Sequence, residues 1–195
     1  GGSIRLPASF CGVVGYKPTY GIVSRSGVVA MGSSLDVIGP LTQTVEDAGI
    51  VLEVISGKDG LDSTLIDRAE KNYDHLDSVD LKGLRVGVVK EYFDEGLDPA
   101  IRKNIERVIG QIKKSGATIE EVSLPSSKTG LAVYYVLCPA EVSSNLSRYD
   151  GQRYGYSNKE ANDLDESYTK SRGKGFGSEA KRRIMVGTYV LSSGY

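Results

Sequence analysis

The chain has 195 residues, with 24 Lys and Arg set against 25 Asp and Glu for a formal net charge of −1. Hydrophobic residues make up 39% and charged residues 25%, the composition of a soluble globular protein, which excludes a disordered segment and a basic nucleic-acid-binding domain. The two cysteines, Cys11 and Cys138, lie far apart in apolar stretches and read as two buried thiols in a reducing compartment, not as a disulfide framework. No secretory signal and no apolar run of roughly 18 residues is present, so a membrane span is not expected and the cytoplasm is the expected location.

In chain order, residues 1–43 alternate short apolar runs (Phe10–Gly15, Gly21–Ser24, Val28–Met31, Val37–Gly39) with turn chemistry, and Lys17-Pro18-Thr19 makes a break. Short buried strands and loops are expected there. Thr44 is a helix N-cap with Glu46 and Asp47 behind it, and Val45, Ala48, Leu52 and Ile55 share one face up to Gly57. These signals predict a helix over about 45–56. Residues 58–80 are polar and mixed, a connecting stretch.

Leu84–Val89 reads as a buried strand. Asp98-Pro99 then opens a helix whose stripe runs Ile101, Ile105, Val108, Ile109, Ile112 and which ends at Lys113, Lys114 and Gly116. Ala117–Val122 follows as a second strand, stopped by Pro125. Strand, helix, strand with short joins predicts a βαβ unit and a mainly parallel sheet covered on both faces. Residues 130–146 are strongly apolar and helical in character, with Pro139 expected to break them. Residues 147–177, rich in Gly, Tyr and charge, read as a long loop or lid, and 178–192 as a helix opened by Ser178 and Glu179.

The chemistry-bearing segment is Gly1-Gly2-Ser3-Ile4-Arg5-Leu6-Pro7-Ala8. Two glycines ahead of a serine let successive backbone amides converge on one point, and a serine there can attack a carbonyl if a base takes its proton. Taken alone, Gly-Gly-Ser is equally the scar of an expression vector or a linker. The whole run GGSIRLPASFCGVVGYKPTYG, however, resembles the core of the amidase-signature family, and a vector scar would not continue into it. The resemblance implies a layered α/β/α fold with a mixed, largely parallel sheet, of which residues 1–195 form the central part of a single domain truncated at both ends.

It also implies that Ser3 is the nucleophile, with the Gly1 and Gly2 amides in or beside its oxyanion hole. The family's triad is Ser, a bridging Ser in a cis peptide, and Lys, and both partners belong upstream of residue 1. Lys17 is not their substitute but structural, Arg5 orders the nucleophile loop, and the lone histidine, His75, is a surface residue. A second stretch, Ala140-Glu141-Val142-Ser143-Ser144-Asn145-Leu146-Ser147-Arg148-Tyr149-Asp150-Gly151 with Arg153-Tyr154-Gly155, resembles a signature of the A subunits of glutamyl-tRNA(Gln) amidotransferases. Residues 177–195 resemble the later helix of the same branch.

In that branch a Tyr and an Arg hold the carboxylate of substrate glutamine. They fall on Tyr134, with Tyr135 its competitor, and on Arg183; an Asp for the amino group would lie beyond Tyr195. The branch implies B and C subunits and Glu-tRNA(Gln) as partners. ATP and magnesium would act on a partner chain of the complex, and no cofactor or metal would sit in this chain. Two other readings stay open: a general amidase for another small amide, and a non-catalytic structural or assembly segment, since two of the three triad residues fall outside the chain.

Overall fold

A computed structural model describes residues 2–67, 72–75 and 80–192, which divide into two compact units, Gly1–Leu76 with Tyr134–Tyr195, and Asp77–Val133. The predicted connecting stretch over 58–80 therefore lies partly outside the described residues.

The first unit opens with helix α1 (Arg5–Cys11), where short strands and loops were expected. Its signals are Pro7 in the first turn, where no backbone donor is needed, and Gly12 beyond the end. Gly12 adopts the left-handed conformation (φ 65°) and its amide closes on the Ala8 carbonyl. Strand β1 (Val14–Gly15) returns directly over α1, because a Cβ on Gly15 would lie 2.6 Å from that of Ala8. It pairs antiparallel with β2 (Leu41–Thr42). Of the apolar run Phe10–Gly15 the first two residues are thus helix and the last two strand, and Cys11, at the helix end, is exposed while Cys138 is half-buried. The expectation of two buried thiols is corrected accordingly.

Helix α2 (Val45–Ile55) matches its signals: the Thr44 hydroxyl accepts from the Asp47 amide at 3.0 Å. Gly57, at φ 107°, turns its amide to the Ile22 carbonyl instead of back into the helix. Leu52 packs with Ile22 and Val23, flanked by Ile38, Ile55 and Tyr73, as the apolar cluster of this unit.

Helix α4 (Gly130–Leu146) runs through Pro139 without a break. A proline inside a helix costs about 3 kcal/mol in isolation, but Pro139 is buried where helix α6 (Ser178–Ser192) crosses. Gly187 makes that crossing possible, since a Cβ there would sit 1.9 Å from the Pro139 carbonyl oxygen. Between them, Leu164–Gly175 forms helix α5 where a loop or lid was expected. The overlooked signal is Asp163, which accepts from the Glu166 amide, while Glu166 reaches back to the Asn162 amide. Gly151 (φ 84°) then folds the 150–158 segment onto fully buried Ser171, whose hydroxyl accepts from the Asn158 amide. Arg172 of α5 donates to the Leu146 and Tyr149 carbonyls, closing the C-terminal end of α4.

The second unit is the predicted strand, helix, strand. Strands β3 (Arg85–Val89) and β4 (Thr118–Val122) pair in parallel, joined through α3 (Pro99–Lys114). Asp98 caps α3 by accepting from Ala100 and Ile101. Coverage is less than expected. No residue of β3 is buried, and Ile101, Ile105 and Val108 of the α3 stripe are exposed. The α/β class holds, with one parallel and one antiparallel pair among the described residues.

Candidate active site

Ser3 stands on the turn that leads into α1, a position fixed when the Gly2 carbonyl accepts the Leu6 amide at 2.9 Å. Gly2 holds φ 87°, a left-handed conformation that glycine enters freely. Gly1 lies outside the described residues. Both Gly2 and Ser3 line a cavity of about 560 Å³ in the first unit, and Arg5 and Lys17 share its wall. The Lys17 ammonium donates to the carbonyl of Pro18 at 2.7 Å. His75 is exposed and outside this site.

The facing wall is the segment 25–38, and its anchor is Arg25. Arg25 Nε donates to Asp62 Oδ2 at 2.8 Å and Nη2 to Asp62 Oδ1 at 3.1 Å and Thr64 Oγ1 at 3.0 Å. Its Nη1 donates to the Ser33 carbonyl. The guanidinium also lies over the Tyr20 ring, 5.1 Å from the centroid. A planar guanidinium with five donors suits this forked geometry, and Asp62 is nearly enclosed, its side chain 7% exposed. The Arg25 bond holds the Asp62 carboxyl well below the usual carboxylate range, helped by Thr64. Asp36 closes the other end by accepting the Met31 and Gly32 amides.

Arg183 and Tyr134 lie beyond this wall. The Arg183 guanidinium is half-buried, its Nη1 4.0 Å from the Met31 sulfur, and Met31 lines the Ser3 cavity. Arg183 also donates to Glu179 at 2.8 Å, and Arg182 shares that carboxylate from a more exposed position. The two arginines bring the Glu179 carboxyl down to about 2. Tyr134 is half-buried, and a hydrogen bond with Cys138 and partial burial raise its phenol, against the opposing charge of Arg183. Tyr135 is exposed, its ring edge-on to that of Tyr134. Met31 thus touches both the Ser3 cavity and Arg183, while neither Arg183 nor Tyr134 lines that cavity.

Sequence reasoning singled out neither Arg25 nor Asp62, which sit 37 positions apart and carry no local signal of their pairing. Arg148, inside the quoted motif, also lines the cavity. Among the described residues no three His, Cys, Asp or Glu side chains converge as metal ligands, and no helix is long and apolar enough to cross a membrane.

The glutamyl-tRNA(Gln) amidotransferase A subunit of Listeria monocytogenes serotype 4b is 56% identical over 195 residues, and that of Microcystis aeruginosa is 54% identical. Each alignment takes in 100% of this chain and 40% of the relative, so the chain spans about two-fifths of the proteins it matches. The crystal structure of the glutamyl-tRNA(Gln) amidotransferase A subunit from Thermotoga maritima superposes with a TM-score of 0.70 at 41% identity, covering 100% of this chain and 37% of that one. The native peptide amidase of Stenotrophomonas maltophilia gives 0.71 at 27% identity, covering 96% and 39%. The amidase family model matches residues 1–195, and the chain belongs to the amidase family.

Proposed function

We propose that this chain is the central segment, within one domain, of the A subunit of a tRNA-dependent amidotransferase, an enzyme that hydrolyses glutamine at Ser3. The observation that carries the reading is the placement of Ser3 on a cavity whose far wall, at Met31, meets the half-buried Arg183. Similarity to A subunits along all 195 residues supports the same branch.

In this reading the Arg183 guanidinium takes the α-carboxylate of glutamine, with the Tyr134 phenol beside it, and presents the side-chain amide to Ser3. Ser3 Oγ bonds to the amide carbon as its proton passes through the bridging Ser to Lys, both supplied from outside this segment. Gly1 and Gly2 amides stabilise the oxyanion. The C–N bond breaks as Lys returns that proton through the bridging Ser to the leaving nitrogen, and ammonia departs, leaving a γ-glutamyl ester on Ser3. Water then adds to that ester and releases glutamate and free Ser3.

The ammonia amidates Glu-tRNA(Gln) at a partner. That partner complex, with its B and C subunits, uses ATP and magnesium, and the assembly is cytoplasmic. By itself, the 195-residue segment is inactive, because Ser3 has no base. The test is Ser3→Ala in the full-length protein. Glutamine hydrolysis should fall by orders of magnitude, since the members of a triad act as a unit; turnover kept by the variant overturns the reading. A general amidase is the second reading, and it is distinguished by hydrolysis of small amides that lack an α-carboxylate.

A further inference from the structure

The motif around residues 140–151 holds two polar side chains that the proposed chemistry leaves unused, Glu141 and Asn145. They stand one turn apart on the same face of α4, and both reach the same loop, Met31–Ser34. Asn145 is 4% exposed, and both ends of its amide are engaged there. Its Nδ2 donates to the Met31 carbonyl at 3.1 Å, and its Oδ1 accepts from Ser33 Oγ at 3.2 Å. Glu141 accepts from the Ser34 amide at 3.2 Å and from the Ser34 hydroxyl. Carbonyl, hydroxyl and amide groups of this loop, at positions 31, 33 and 34, are therefore held by one helix face.

That loop is also the part of the cavity wall that meets the carboxylate anchor. Met31 and Ser33 line the Ser3 cavity, and the Met31 sulfur is what Arg183 approaches. Met31 thus touches both the nucleophile's cavity and Arg183, so in the glutaminase reading a shift of this loop alters the span a substrate must bridge. A substrate is gripped at its α-carboxylate and attacked at its side-chain amide, so this span selects side-chain length.

We propose that Glu141 and Asn145 are positioning residues that fix the Met31–Ser34 loop, and that this clamp makes the site prefer glutamine over asparagine, its homologue shorter by one methylene. The proposal rests on the glutaminase reading. A site of set length discriminates one methylene by roughly 10- to 200-fold, and loosening the wall forfeits that factor.

The experiment measures kcat and KM for glutamine and for asparagine in the full-length protein and in Asn145→Ala, Glu141→Ala and Glu141→Gln. In the alanine variants KM for glutamine should rise about tenfold, with kcat less affected, and the glutamine-to-asparagine ratio of kcat/KM should fall by about tenfold. Glu141→Gln keeps an acceptor for Ser34 and should retain most of the preference. Unchanged KM and unchanged ratio in the alanine variants, or a loss in kcat alone, overturns the proposal. Should Asn145→Ala not fold, Glu141→Ala carries the same readouts. Should the parent release no ammonia from glutamine, the glutaminase reading fails on its own. The clamp is then judged by amide hydrogen exchange over residues 31–34, which Glu141→Ala must accelerate, and unaltered protection refutes it.

Discussion

Gly187→Ala perturbs the point where α6 crosses α4. The added Cβ would meet the Pro139 carbonyl oxygen at 1.9 Å and the Ser143 Cβ at 2.7 Å. Backbone on the far side cannot swing away as a flexible side-chain end could, so the helices must separate. The hydrogen bond between Ser143 and Thr188, 2.9 Å, is then strained as well. Overpacking costs about 1–3 kcal/mol, and a backbone overlap belongs at the upper end, while alanine recovers up to about 1 kcal/mol of helix propensity, leaving a net loss of about 2 kcal/mol.

Gly173→Ala in α5 is the matched control. Nothing lies within 4 Å of its Cβ position, so only the propensity gain of about 0.5–1 kcal/mol should appear. Urea denaturation followed by circular dichroism reads both variants as shifts in midpoint at constant slope. Arg183 lies one turn before Gly187 on the same face, so Gly187→Ala should also raise KM for glutamine. A Gly187→Ala protein as stable as Gly173→Ala would refute the close crossing of the two helices.

Two further predictions concern charge. The Asp62 carboxyl sits below its ordinary value when folded, so its contribution is present above the ordinary carboxylate range and fades as pH falls through the folded value. Asp62→Asn should therefore lower stability at pH 7 and converge with the parent in strong acid, which denaturation midpoints across pH will show; parallel curves would contradict the Arg25 pairing. For Arg183→Ala, loss of a charge-assisted contact worth roughly 1.5–3 kcal/mol should raise KM for glutamine about 10- to 150-fold, with Arg183→Lys recovering part. Arg182→Ala, removing a more exposed guanidinium, should leave KM alone, and the reverse pattern would put the register of α6 off by one.

What was legible in the sequence followed the physical range of the signal. Thr44 and Asp98 are caps whose partners lie within three residues, so α2 and α3 were readable directly. The parallel pairing of β3 with β4 followed from their short joins to α3. Local signals were also passed over, since Pro7 with Gly12 and Asp163 with Glu166 mark α1 and α5 in segments expected to be loop or strand. Pro139 misled for a different reason. Its local penalty is outweighed by packing against a glycine 48 positions away, which no window of sequence contains.

The candidate site divides in the same way. Ser3, Tyr134 and Arg183 came from resemblance; Ser3 lines the cavity, Tyr134 and Arg183 do not, and Arg183 approaches it at Met31, a residue without any motif of its own. The Arg25–Asp62 pair is a tertiary contact and left no trace in local sequence. Glu141 and Asn145 were within reach, because their spacing places them on one helix face. Their target loop was not, because it is more than a hundred residues distant.

The central claim is that Ser3 carries the acyl group. In the full-length protein, rapid acid quench after mixing with glutamine, followed by peptide mass spectrometry, should find a γ-glutamyl ester on the peptide that contains Ser3, formed at a rate no slower than steady-state glutamate release. The same peptide should stay unmodified in Ser3→Ala. Glutamate release with Ser3 unmodified throughout, or with the ester on another residue, would contradict the account.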